Sequence, residues 1–171
     1  VKELLRDQSR TVGRLDSRFK GIDRDATGQE TEHDPSHSAI SGAYTGAFND
    51  YVRRELKFEN DIPYEIISDL YQSWDYSKHQ NQFLDVAETL REAMSKNPFL
   101  KIFVANGYYD LATPYFATRY TFNHLGIDAG LLANISMGYY DAGHMMYVHQ
   151  PSLAQLKQDL GGFVEDAVAK G

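Results

Sequence analysis

The stretches L-K-I-F-V-A-N-G-Y-Y-D at 100–110 and N-I-S-M-G-Y-Y-D-A-G-H-M at 134–145 decide the fold of this chain. Each begins with a short apolar run typical of a buried parallel strand, and each ends in a loop that contains glycine. The first loop holds Asp110 and the second holds His144, and both side chains are suited to proton chemistry. Because ligands of open α/β sheets lie at the carboxyl ends of the strands, the pattern predicts an acid and a base at one sheet edge.

Amphipathic segments alternate with these two strands. The apolar spacing predicts helices over 83–96, 113–125 and 152–169, and strands over 100–105 and 135–139. Pro114 opens the second helix and Gly126 closes it, as is typical of helix ends. An order of helix, strand, helix, strand, helix indicates an α/β fold with two right-handed crossover units of a parallel sheet.

The upstream part of the chain is less regular. Residues 1–36 are polar and punctuated by glycine, which predicts a loop-rich and partly disordered segment. Helical spacing predicts a helix over 38–56, and 64–68 reads as a short strand. The aromatic cluster of Tyr71, Trp74 and Tyr76 that follows is either core or a wall for substrate.

Composition excludes several classes of function. The net charge of −7 argues against binding to nucleic acid, which needs an excess of Lys and Arg. The chain has no cysteine, so disulfides and thiolate chemistry are excluded. No apolar run reaches the roughly 20 residues that span a bilayer, so we expect no membrane partner.

A catalytic role is better supported for Asp110 and His144 together than for either residue alone. A lone Asp after a strand is usually a turn residue and a lone His in a loop is usually polar surface, but here both follow equivalent strands in the order acid, then base. That is their order in the α/β-hydrolase triad of nucleophile, acid and base. Asp141 is a rival acid, but it lies in the same loop as His144 and is poorly placed to reach Nδ1. No G-x-S-x-G elbow is present, and Ser41 lies in A-I-S-G-A.

Other histidines carry weaker signals. His33 and His37 are four residues apart, but Pro35 between them disfavours the helical geometry of a metal site, so we predict no metal there. His149 follows His144 by five residues without a preceding G-x-H turn, and we interpret it as surface or support.

From about residue 100 to its end, the chain resembles the C-terminal part of the serine carboxypeptidases. The resemblance is carried by N-G-Y-Y-D-L-A-T-P at 106–114 and Y-D-A-G-H-M at 140–145. It implies that Asp110 and His144 are catalytic and that Met145 lies in the wall of the substrate cleft. Where the family usually continues with Val-Pro, this chain has Met146-Tyr147, which suggests a divergent, bacterial-looking branch.

The resemblance also implies a division of the chain. Residues 97–171 would be the C-terminal part of an α/β-hydrolase core. Residues 1–96 would be the insertion that caps the active site, together with a return to the main fold. The chain begins at Val1 inside a polar segment, as expected of a processed or excised piece, and the nucleophilic Ser would lie on a missing N-terminal segment.

The implied function is a serine-type carboxypeptidase that hydrolyses C-terminal peptide bonds without a cofactor. We expect this chain alone to be inactive and to associate with the missing N-terminal part or with itself. The alternatives are an acyltransferase or esterase on the same scaffold, and a non-catalytic binding module. Family resemblance favours a periplasmic or secreted location.

Overall fold

The structure is a computed structural model that describes residues 1–169. Its helices are α1 (Pro35–Asp50), α2 (Ala87–Lys96), α3 (Tyr115–Asn123) and α4 (Gln150–Val168), and its strands are β1 (Thr11–Val12), β2 (Lys20–Gly21), β3 (Ile102–Gly107) and β4 (Ile135–Tyr140). The chain divides into two compact units, Val1–Ser36 with the chain from Asp85 onward, and His37–Leu84. The assignment of 1–96 as an insertion stays a prediction.

The first unit contains a small parallel sheet. β3 and β4 pair in parallel, with Ile102 opposite Ile135 and Gly107 opposite Tyr140, and helix α3 connects them. The predicted α/β class is confirmed at this level, as mixed helix and strand with a parallel sheet and flanking helices. Within residues 1–169, each of these two strands has a sheet neighbour on one side only.

The core of this unit is formed by residues at and just after the C-terminal end of β4. Tyr140, Ala142 and Met146 are buried, and Phe103 and Leu156 pack against them. The Tyr140 side chain is fully buried, and its hydroxyl donates a 2.8 Å hydrogen bond to Oδ2 of Asp159 on α4. Burial, together with this acceptor, raises the pKa of Tyr140, so its hydroxyl stays a donor at physiological pH. The bond therefore ties α4 to the strand that precedes His144.

The N-terminal segment is more ordered than its composition predicts. β1 and β2 form an antiparallel pair, with Thr11 opposite Gly21. Lys2 and Asp23 form a buried ion pair of 2.9 Å between Nζ and Oδ2. The Lys2 ammonium holds the pKa of Asp23 below its usual range, against the opposing effect of burial. Polar contacts, which leave no apolar periodicity in the sequence, therefore organise this segment.

Two local predictions are wrong. The segment 64–68 forms no strand, and the helix predicted over 83–96 begins only at Ala87. Its late start has a local cause, because Oδ1 of Asp85 accepts the Ala87 backbone N–H at 2.8 Å and so favours a turn before the helix. Phe83, the first residue of the predicted helix, is almost fully exposed.

The second unit, His37–Leu84, contains most of α1, a π-helical turn at Tyr51–Glu55, two short 3₁₀ helices at Asp69–Ser73 and Ser77–His79, and irregular chain. The rings of Phe48 and Tyr64 pack with centroids 4.3 Å apart. Trp74, with 67% of its surface exposed, does not belong to a buried core, and Tyr71 and Tyr76 are exposed as well. The core interpretation of this cluster is therefore wrong for the described chain.

Candidate functional site: an acid and a base at adjoining strand ends

The two loops that carry Asp110 and His144 leave β3 and β4 side by side. Main-chain hydrogen bonds continue the ladder beyond the strands, from Tyr108 N to Tyr140 O and from Tyr109 N to Ala142 O, both at 3.0 Å. A Cβ on Gly107 would lie 2.2 Å from the carbonyl oxygen of Gly143, so only glycine permits this approach. The close backbone contact brings the loop of the acid against the loop of the base.

The structure places Asp110 and His144 in direct contact. Nδ1 of His144 lies 2.8 Å from Oδ2 of Asp110, across a sequence separation of 34 residues. The carboxylate side chain is 4% exposed, whereas the imidazole is 44% exposed. A buried acid thus supports a base that faces solvent, which is the arrangement that orients a catalytic imidazole.

Asp110 accepts hydrogen bonds on both oxygens. Oδ1 accepts the backbone N–H groups of Ala112 at 2.7 Å and Thr113 at 2.9 Å, and Oδ2 also accepts the Thr113 hydroxyl at 2.7 Å. Burial by itself would raise the pKa of Asp110, but these bonds and that from His144 outweigh it and hold the pKa below its usual range. Asp110 is therefore a carboxylate at neutral pH.

The ionised acid fixes the tautomer of the base. A carboxylate accepts and cannot donate, so Nδ1 of a neutral His144 must carry the ring hydrogen that points to Asp110. The Thr113 hydroxyl oxygen lies 3.2 Å from Nδ1 and adds a second, weaker acceptor for it. The lone pair is left on Nε2, which has no hydrogen-bond partner within residues 1–169. Nε2 can therefore take a proton from a group that approaches from outside these residues.

Asp141, the rival acid, does not bond to His144. Its negative charge and acceptor oxygens act on the Tyr109 hydroxyl and raise the pKa of Tyr109. Its backbone carbonyl accepts Nη1 of Arg18 at 2.9 Å. The preference for Asp110 over Asp141 as the partner of the base thus agrees with the geometry.

Met145 and His149 lie on either side of a short 3₁₀ turn, Met146–Val148, that follows the base. Met145 is half-buried directly after His144, and its role in substrate binding stays a prediction. His149 precedes α4, and its Nδ1 lies 2.8 Å from the hydroxyl of the buried Ser152. His149 therefore supports the start of α4 rather than the acid–base pair.

Ser41 and His33, the remaining candidates, make contacts with residues other than Asp110 and His144. The Ser41 hydroxyl donates to the carbonyl of His37 at 2.9 Å, and its oxygen also lies 3.2 Å from Nε2 and 3.3 Å from Nδ1 of the His37 ring, one helical turn away. Nδ1 of His33 lies 3.7 Å from Oδ1 of Asp23. Across residues 1–169, no group of three His, Asp or Glu side chains is arranged to hold a metal ion, and no helix there is long and apolar enough to cross a membrane.

Sequence reasoning missed three contributors to this site. Thr113 bonds to Asp110 through its side chain instead of capping α3, which has no side-chain cap. The carbonyl of Leu15 and the guanidinium of Arg18 contact the base loop from the N-terminal segment. Only the position of Thr113, three residues after Asp110, left a signal in the sequence, since contacts from a distant turn to main-chain atoms have no sequence pattern.

Comparison of the chain with protein families, with curated proteins and with solved structures gives no match. The function of the chain is therefore inferred from the geometry of the site and from the motifs in the sequence.

Proposed function

We propose that this chain supplies the acid and base of a serine hydrolase of the α/β-hydrolase fold, with the specificity of a serine carboxypeptidase. The observation that carries the proposal is the 2.8 Å contact between Nδ1 of His144 and Oδ2 of the buried Asp110. The motifs N-G-Y-Y-D-L-A-T-P and Y-D-A-G-H-M, which resemble those of the serine carboxypeptidases, support it.

The chemistry follows from the tautomer. Nε2 of His144 would take the proton of a serine hydroxyl as that oxygen attacks the carbonyl carbon of the C-terminal peptide bond. The same nitrogen would then give the proton to the departing amine, and water would release the acyl group in a second cycle. Asp110 would stabilise the imidazolium in both steps while remaining ionised.

The nucleophile would come from a segment outside these 171 residues. No serine of the chain has G-x-S-x-G flanks, and within residues 1–169 no serine hydroxyl bonds to Nε2 of His144. Met145, next to the base, would line the cleft in which the peptide lies. The chain by itself would then hold the ring proton of His144 on Nδ1, but it would perform no acyl transfer.

Turnover by the protein made from the whole gene tests the proposal. The substrates are N-blocked dipeptides with a free C-terminus, the same peptides with an amidated C-terminus, and matched esters. We expect release of the C-terminal residue from the free acid, and His144→Ala should lower kcat on the order of 10⁴-fold or more. His149→Ala is the matched control, because His149 is a nearby histidine that bonds only near α4.

Each outcome separates the alternatives. Activity on esters alone that is lost in His144→Ala would replace the peptidase with an esterase or acyltransferase and keep the site. Equal rates for the His144→Ala and unaltered proteins would overturn the catalytic assignment. In that case a binding module that retains the pair as scaffold would be the better description.

A further inference from the structure

A turn near the N-terminus lies against the loop that carries the base. We call residues 13–18 the clamp turn. The carbonyl oxygen of Leu15 accepts the backbone N–H of His144 at 2.6 Å. A Cβ on Gly143 would lie 2.3 Å from that oxygen and 2.4 Å from the Cβ of Asp16, so a larger residue does not fit. The backbone of the base is therefore held directly by the clamp turn.

The same turn also holds the loop that carries the acid. The carbonyl oxygen of Arg14 accepts the N–H of Leu111 at 3.0 Å, and the N–H of Ser17 donates to the carbonyl oxygen of Tyr109 at 2.9 Å. Tyr109 and Leu111 are the two neighbours of Asp110 in the chain. The clamp turn thus fixes the backbone on both sides of the acid, as well as that of the base.

Arg18 connects the clamp turn to both loops through its side chain. Its Nε and Nη2 donate to the two carboxylate oxygens of Asp16, at 3.0 and 2.7 Å. Its Nη1 donates to the carbonyl oxygen of Asp141 in the base loop, and its Cζ lies 4.7 Å from the ring centre of Tyr109 in the acid loop. One guanidinium therefore contacts the clamp turn, the base loop and the acid loop at once.

We propose that Arg18, paired with Asp16, is a positioning residue that holds His144 against Asp110. The proposal deepens the proposed function and rests on it, because it assigns a role to a residue that does not touch the reacting atoms. Asp16 is buried, so its carboxylate depends on the guanidinium for a charged partner. A lysine has no planar fork and cannot make the two parallel bonds and the bond to Asp141 together.

The tautomer of His144 reports the effect directly. The 171-residue chain, labelled with ¹⁵N in its 6 histidines, is examined by NMR at about pH 9, where imidazoles are neutral. The His144 signal is assigned from a His144→Gln variant. In the unaltered chain we expect the form protonated on Nδ1, and Asp110→Asn should abolish that preference.

Arg18→Gln should lower the ratio of the Nδ1–H form to the Nε2–H form on the order of tenfold, the factor that one charge-assisted hydrogen bond is worth. Arg18→Lys should give an intermediate ratio. Arg24→Gln is the matched control, because it makes the same change of charge. Arg24 bonds to Glu32, and its side chain is 91% exposed. That variant should keep the ratio of the unaltered chain.

A folded Arg18→Gln chain with an unchanged ratio would overturn the proposal. If Arg18→Gln does not fold, the Lys variant decides: a reduced ratio supports the positioning role, and an unchanged ratio overturns it. Failure of both variants to fold would also count against it, because Arg18 would then stabilise the fold as a whole. Failure of the proposed function can be distinguished from failure of this proposal. In that case the protein made from the whole gene would show no hydrolysis, while the ratio of the Nδ1–H form to the Nε2–H form would still respond to Arg18.

Discussion

Nδ1 of His144 and Oδ2 of Asp110 lie 2.8 Å apart, although the two residues belong to different loops that follow neighbouring parallel strands. The acid is buried and the base is exposed, so proton exchange with a substrate can take place only on the Nε2 side of the ring. Thr113 completes the arrangement, because its hydroxyl donates to the same carboxylate oxygen that the imidazole uses.

Replacing Thr113 with Val should remove one hydrogen bond to the Asp110 carboxylate while the carboxylate itself stays in place. The change deletes the hydroxyl donor to Oδ2 of Asp110 and leaves the backbone bonds to Oδ1, so the pKa of Asp110 should rise toward its ordinary value. The free energy of unfolding should fall by about 1 kcal/mol. A ¹³C titration of the carboxyl group and urea unfolding measure the two effects. Thr113→Ser, which keeps the hydroxyl, should restore both, and a Ser variant that behaves like Val would contradict this role.

The stability of the chain should depend on the charge of Asp110. Its pKa is lowered in the folded chain, so its contribution is fully present above the pKa of an unfolded Asp, about 3.9, and is lost as the pH falls through the folded value. Urea unfolding at pH 5, 4 and 3 should therefore show a smaller loss of stability for Asp110→Asn than for the unaltered chain. An equal loss of stability in the two proteins would mean that Asp110 takes up no proton on unfolding in this pH range, and it would contradict the prediction.

The two strands with their following helices could be predicted from the sequence because their apolar periodicity is local. β3 and β4 lie within about two residues of the predicted ranges, and the positions of Asp110 and His144 follow from where those strands end. The clamp turn could not be predicted in this way. Its bonds to Leu111, Tyr109 and His144 run mostly through main-chain atoms, which are the same in every residue type.

The errors upstream have a related cause. The segment 64–68 has the apolar content of a strand, but strand formation requires a partner, and the structure gives it none among residues 1–169. Asp85 overrides helical periodicity by accepting the N–H of Ala87. Local pattern alone therefore predicted too much structure at 64–68 and at the start of α2.

The parallel sheet should drive association of the isolated chain. β3 pairs only with β4 within residues 1–169, so one of its edges carries unpaired N–H and C=O groups. Large apolar side chains such as Phe83 and Phe99 are also more than four-fifths exposed. Light scattering over a wide concentration range should show self-association, or a co-purified chain with a G-x-S-x-G elbow. A lone monomer at all concentrations would contradict the interpretation of this sheet as incomplete.

The central claim is that Asp110 and His144 activate a serine that lies outside this chain. Covalent labelling with a fluorophosphonate, which reacts with activated serines, tests it most directly. The protein made from the whole gene should be labelled on the serine of a G-x-S-x-G elbow, and His144→Ala and Asp110→Asn should slow labelling on the order of 10⁴-fold, whereas Asp141→Asn should not. The 171-residue chain alone should remain unlabelled. Labelling of this isolated chain, or an equal labelling rate in the His144→Ala protein, would contradict the account.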